Sequence, residues 1–73
     1  MEEIEIHTQE INIDQLLKWA GITDNGAQIK PLIEDQLIKL NGAIVTERRK
    51  KVRPGDIIEI AGIGSWRIIT GEV

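Results

Sequence analysis

The dipeptide Asn41-Gly42 stands between two runs of β-prone residues, Leu37-Ile38-Lys39-Leu40 and Ala43-Ile44-Val45. Both residues accept positive φ, so the pair predicts a type I′ turn closing an antiparallel hairpin. The same point marks a change of period. Upstream, Ile13, Leu16, Leu17 and Ala20 repeat at helical spacing, as do Ile29, Leu32 and Ile33. Downstream, Ile57-Ile58-Glu59-Ile60 and Trp66-Arg67-Ile68-Ile69 read as strands. At the start of the chain, Ile4 and Ile6 alternate with Glu3, Glu5 and His7, which predicts a half-buried strand near residues 2–7.

Local chemistry sets the expected ends of these elements. Asn12 caps the first helix, with Gln15 completing a capping box and Ile11 and Leu16 placed for a hydrophobic staple. Gly21 supplies the left-handed residue that ends it. The second helix is expected to begin at Asn25, where Gln28 repeats the capping-box spacing, and to end near Asp35 or Gln36. Pro31 lacks a backbone donor and must kink this helix or delay its regular part. Pro54-Gly55-Asp56 is a turn, and Gly62 and Gly64 mark a loop. The order is strand, two helices, hairpin, further strands. It predicts an α+β fold with two short helices packed on one side of a small, mostly antiparallel sheet.

Seventy-three residues make one domain, spanning 1–73. A chain this short buries only about 60% of the surface its unfolded form exposes. Its apolar residues therefore serve one core, with little left for a deep substrate cleft. Phe, Tyr and Cys are absent. The lack of Cys excludes disulfides, zinc ribbons and thiol chemistry, and it fits a reducing cytosol. The opening Met1-Glu2-Glu3-Ile4-Glu5 lacks the basic start and apolar stretch of a leader. Lys39, Asn41 and Glu59 interrupt the longest apolar runs, so no membrane span is expected. A cytoplasmic protein is the expectation.

Charge is unevenly distributed. Arg48, Arg49, Lys50, Lys51 and Arg53 place five positive charges within six positions of a chain whose net charge is −3. A concentrated positive patch on an acidic background is a local anion-binding feature. Polyanionic RNA is the first partner to consider, because Lys and Arg gain affinity by releasing counterions from phosphates. The competing reading is a solvated charged loop.

The chain also resembles a known family. Leu16-Leu17-Lys18-Trp19-Ala20-Gly21-Ile22, Leu32-Ile33, Lys39-Leu40-Asn41-Gly42 and Val52-Arg53-Pro54-Gly55-Asp56-Ile57-Ile58-Glu59-Ile60 follow in the order of an RNA-binding domain. That domain was first described in small-subunit ribosomal protein S-four and is also called the alpha-L motif. The matching stretch runs from about residue 13 to residue 60. Leu17-Lys18-Trp19-Ala20-Gly21-Ile22, Asn25-Gly26-Ala27-Gln28 and Arg48-Arg49-Lys50-Lys51 look most like the small stand-alone YaaA/YbcJ-like subgroup. The resemblance implies a non-catalytic module that binds structured RNA, ribosomal or transfer RNA in many members, with the two helices and the adjoining hairpin as contact face. It implies no cofactor, and for stand-alone members a role on the ribosomal subunit during assembly or maturation. Two positions depart from the family pattern. Asn25-Gly26 replaces a Ser-Arg pair whose Arg contacts RNA. Gln36 stands where the family favours Gly, which predicts a strained left-handed residue.

Arg48, Arg49, Lys50, Lys51 and Arg53 are the expected phosphate contacts, which position a protein on RNA without reading sequence. Lys18 and Lys30 either extend the patch or are ordinary solvent-side lysines. Asn25, Gly26 and Gln28 are expected to present backbone N–H groups at a helix start, and Gly26 would let a phosphate approach closely. Asn25 also serves as a plain cap. Asn41 is a turn residue first, with an RNA contact carried over from the family. Trp19, at the edge of its helical stripe, is expected in the core, with base stacking as the alternative. Trp66 is expected to pack, or to close the sheet against the first strand. His7 has no ligand partner in sequence, so no metal site is expected.

Three rivals remain at the sequence level. A protein–protein module would use the acidic residues 1–10 or the basic loop. An enzyme is disfavoured, since one Ser, one His and no Cys leave no familiar nucleophile–base set. DNA binding uses the same phosphate attraction as RNA binding.

Overall fold

The computed structural model describes residues 1–23 and 26–71. Strand β1 (Glu2–Ile6) leads through a bend to β2 (Ile11–Asn12) and helix α1 (Ile13–Trp19). A 3₁₀ turn (Gly26–Gln28) runs into helix α2 (Ile29–Glu34). Strands β3 (Ile38–Leu40), β4 (Ala43–Ile44), β5 (Lys51–Val52), β6 (Ile57–Ile60) and β7 (Gly64–Thr70) follow. The main sheet has the order β1-β7-β6-β3-β4, antiparallel throughout except for the parallel β1·β7 pair. The fold is therefore α+β, two helices on a mostly antiparallel sheet. A separate two-stranded ladder joins β2 to β5, pairing Ile11 with Val52 and Asn12 with Lys51. Neither of its strands was evident in the sequence, because two residues carry no period.

Alternation along the strands sorts the two faces of the sheet. Ile4 and Ile6, Ile38 and Leu40, Ile58 and Ile60, and Trp66 and Ile68 point inward, where they meet Ile13, Leu16, Leu17 and Ile29 of the helices. The other face carries Glu3 beside Arg67 and Lys39 beside Glu59 in register, a mixed-charge surface facing solvent. The helices thus lie on one side only, as expected.

Both helices end in the same way. The N–H of Ile22 donates to the carbonyl of Leu17 (2.9 Å), and that of Gly21 to Lys18 (3.1 Å). In α2 the N–H of Leu37 donates to Leu32 (2.9 Å), and that of Gln36 to Ile33 (3.0 Å). This is the Schellman pattern, which needs a left-handed residue just past the helix. Gly21 provides it with φ 75°, whereas Gln36 adopts φ 58° with a side chain attached. Asn41 and Gly42, at φ 52° and 86°, form the expected type I′ turn.

Several local expectations are corrected. Asn12 precedes α1 but makes no capping hydrogen bond, and its Oδ1 is buried without a partner among the described residues. The capping box with Gln15 is absent, because the Gln15 N–H goes to Asp14 Oδ1 (2.8 Å). Ala20 is the exposed residue that ends α1 rather than part of the buried stripe. The regular part of α2 begins only at Ile29, which puts Pro31 in its first turn, where no i−4 hydrogen bond is lost. The cap expected at Asn25 lies outside the described residues. Val45 is buried but follows β4 rather than belonging to it.

A side chain at left-handed φ costs about 1–2 kcal/mol. Gln36→Gly should therefore raise stability by about 0.5–1 kcal/mol, part of the relief being offset by the entropy of the unfolded chain. The check is a higher urea midpoint at unchanged m-value.

Candidate nucleic-acid interface

The first turn of any helix leaves backbone donors unpaired. In α1 the first two of these donors are met by the basic segment. The N–H of Ile13 donates to the carbonyl of Lys50 (2.9 Å), and the N–H of Asp14 to the carbonyl of Arg48 (3.1 Å). A tight turn closed by the Lys50 N–H on the Glu47 carbonyl (3.2 Å) brings both carbonyls into line. Immediately after it, β5 pairs with β2. The main chain of residues 48–52 is thus anchored to the start of α1 from two sides, and its side chains are left to project. Arg48, Arg49 and Lys50 are exposed, and none lies within 4.0 Å of a carboxylate among the described residues.

Lys51 and Arg53 are arranged differently. Val52 between them is fully buried, so strand alternation puts both cations on the outer side. There they share Glu10: Lys51 Nζ lies 3.9 Å and Arg53 Nε 3.5 Å from its carboxylate. Exposed pairs of this length contribute about 0–1 kcal/mol. They lower the local charge without locking the side chains. The five cations therefore form two groups, three unpaired and two shielded, a division that charge counting does not reveal.

The segment's far end is also tied down. The N–H of Asp56 donates to the Arg53 carbonyl (3.1 Å) across Pro54 and Gly55, whose φ of 98° suits a type II turn. Asp56 Oδ2 accepts the N–H of Arg53 (2.8 Å), and its Oδ1 accepts from Asn41 Nδ2 (3.0 Å). Asn41 Oδ1 in turn accepts the N–H of Ile57 (2.8 Å). The Asn-Gly hairpin and the Pro-Gly-Asp turn thus hold each other, and both ends of the Asn41 amide serve the fold. Asp56 was not singled out in sequence, although an Asp after Pro-Gly is suited to such a backbone contact.

The remaining candidates separate by position. Lys30 of α2 and Arg48 line one surface groove of about 450 Å³ with Ile33, Glu34 and Thr46. Lys30 reaches Glu34 at 4.0 Å along its own helix, a weak exposed pair. Lys18 is exposed in the last turn of α1. Gly26 and Gln28 fall in the 3₁₀ turn ahead of α2, and Asn25 lies outside the described residues. Trp19 is not in the core: 61% of it is exposed. The ring turns outward, where its indole N–H donates to the Glu5 carbonyl (2.9 Å) on β1. Trp66 is buried, opposite Glu2 in the parallel β1·β7 pair.

Comparison with known proteins adds to this geometry. A family model described as an S4 domain matches residues 4–69. The chain is 30% identical over 66 residues to a Bacillus subtilis protein named "Probable ribosome maturation protein RlbA", covering 90% of this chain and 93% of that protein. It is 35% identical over 52 residues to an Escherichia coli protein named "Putative RNA-binding protein YbcJ", covering 71% of this chain and 74% of that protein.

Removing Asp56 leaves the Arg53 N–H and the Asn41 amide without their acceptor. Asp56→Ala should cost about 1–3 kcal/mol of stability, read from the urea midpoint.

Proposed function

The chain belongs to the S4-domain family, and we propose from that premise that it binds structured RNA without catalysis, through a preformed basic surface. Arg48, Arg49 and Lys50 make the leading phosphate contacts. Lys30 extends the surface across the groove to α2, and Lys51 and Arg53 join as phosphate displaces Glu10. Lys18, Gly26 and Gln28 are the helical part of the same proposal, and Asn25, outside the described residues, is proposed with them. Asn41 acts by fixing the hairpin beside it.

The observation that carries this reading is the use of the basic segment's carbonyls as caps for α1. Because its main chain is held, the guanidinium groups are displayed with little backbone entropy left to lose on binding, the condition for a preorganised contact. The sheet's opposite face mixes Glu3, Glu59, Lys39 and Arg67 and offers a polyanion no comparable attraction. The names of the two relatives favour ribosomal RNA as the target and subunit maturation as the setting, which would place the protein in the cytoplasm.

Arg48→Glu combined with Arg49→Glu should lower affinity for structured RNA about 100-fold or more at about 0.15 M salt, with an unchanged urea midpoint. If three phosphates are neutralised, log affinity should fall against log salt with a slope of roughly −2 to −3. Gel-shift or anisotropy titrations read both. Retained affinity in the double variant contradicts the assignment. Glu10→Gln acts in the opposite sense: freeing Lys51 and Arg53 should tighten binding about two- to five-fold and steepen the salt slope by about one.

A further inference from the structure

Trp19 combines wide exposure with a fixed position. At 61% exposure the large apolar ring is left mostly in water. Yet its Nε1–H is bonded across 14 residues to the Glu5 carbonyl at 2.9 Å. The His7 ring stands at 88° to the indole with centroids 6.4 Å apart, an edge-to-face contact. His7 has this seat because residue 71 is Gly: a Cβ there would collide with the His7 ring. The Gly71 N–H donates to the Ile6 carbonyl (2.7 Å), so the closure of the sheet at its parallel edge helps to build the wall.

Beside the indole lies a recess of about 170 Å³ lined by Ile6, His7, Thr8, Ile11 and Trp19, almost all apolar. An apolar cavity of about 150 Å³ takes a benzene-sized ring. The recess is thus scaled to one flat ring. Its carboxylate neighbours are Glu5, 3.7 Å from His7 Nε2, and Glu10, one residue before Ile11. They disfavour a phosphate in the recess and leave a neutral aromatic group as the fitting occupant.

Its surroundings identify the source of that group. Ile11 is the ladder partner of Val52, which lies between Lys51 and Arg53. Strands in such a ladder run about 4.8 Å apart. Ile11 and Val52 share one face of this ladder and the two cations the other, so the link runs through Glu10. Lys51 and Arg53 approach its carboxylate at 3.9 and 3.5 Å, and Glu10 stands between Thr8 and Ile11 of the recess lining. A polyanion held by these cations is left within reach of the recess. Resting on the RNA-binding reading above, we infer that this recess takes one unpaired nucleobase of the bound RNA, stacked on the Trp19 indole. Bases freed from a helix stack readily on aromatic side chains, whereas a base inside an uninterrupted duplex does not reach one. The recess thereby selects RNA with a bulge or loop next to the duplex that the basic segment holds.

The test compares a blunt RNA duplex with the same duplex interrupted by a bulge of unpaired nucleotides. In the Trp66→Phe variant Trp19 is the sole tryptophan, and its emission should be quenched by saturating bulged RNA and unaffected by the blunt duplex. The wild-type chain, titrated in parallel, should show the same difference. Trp19→Ala should weaken binding of bulged RNA about ten-fold and leave the blunt duplex unchanged, while Trp19→Phe keeps most of the affinity. Silent Trp19 emission in a chain that binds both RNAs overturns the stacking site and leaves the basic surface standing. Equal loss on both RNAs in Trp19→Ala, at an unchanged urea midpoint, overturns it as well. Failure of the wild-type chain to bind either RNA overturns the RNA-binding reading itself, and the stacking site with it.

Discussion

Two backbone hydrogen bonds, from Ile13 to the carbonyl of Lys50 and from Asp14 to that of Arg48, join the start of α1 to the basic segment. Each side meets a need of the other. A seven-residue helix is too short to hold itself in water, and its first donors require acceptors. The basic segment has two strand residues of its own, and like charges packed together favour extension away from the core. Joining them satisfies the helix and fixes the loop. The β2·β5 ladder and the Asn41–Asp56 contacts then hold the segment's far end. The charged surface is thus built from the interactions that complete the fold.

This arrangement separates structure from recognition along the same few residues. The carbonyls of Arg48 and Lys50 serve the fold, and their side chains remain available. Val52 serves the core, and Lys51 and Arg53 on either side of it face outward. Asn41 and Asp56 secure the turns with side chains that take no part in the charge pattern. In the proposed function such a surface would hold RNA by geometry and electrostatics, and the inferred Trp19 recess would add preference for an unpaired base beside it.

Features set by neighbours in sequence were legible in it. Asn41-Gly42 specified its turn because both residues accept positive φ, and Gly21 specified the end of α1 for the same reason, whereas the left-handed Gln36 was expected only from the family resemblance, which favours Gly at that position. The strands that alternate over four or more residues announced which face is buried. Features set at a distance were not legible. The Asn12–Gln15 spacing suggested a side-chain cap, but a backbone segment nearly 40 residues away occupies that place, leaving the Asn12 oxygen buried and unpartnered among the described residues. The clustering of five cations was plain, yet their division depends on Glu10, which reaches Lys51 and Arg53 only after β2 and β5 have paired. Trp19 was expected inside on its stripe position. It turns outward because Leu16 and Leu17 already fill the helix–sheet contact and because the edge of β1 offers its indole a carbonyl.

The proposed function depends on which face of the molecule meets RNA. An NMR titration of the isotopically labelled protein with structured RNA reads this residue by residue. The largest shift changes should fall on the Arg48 and Arg49 Nε–H groups and on the amides of 47–53. Lys39, Glu59 and Arg67 on the far side of the sheet should stay where they are. Shifts concentrated on that far side, with the Arg48 and Arg49 signals unmoved, would contradict it.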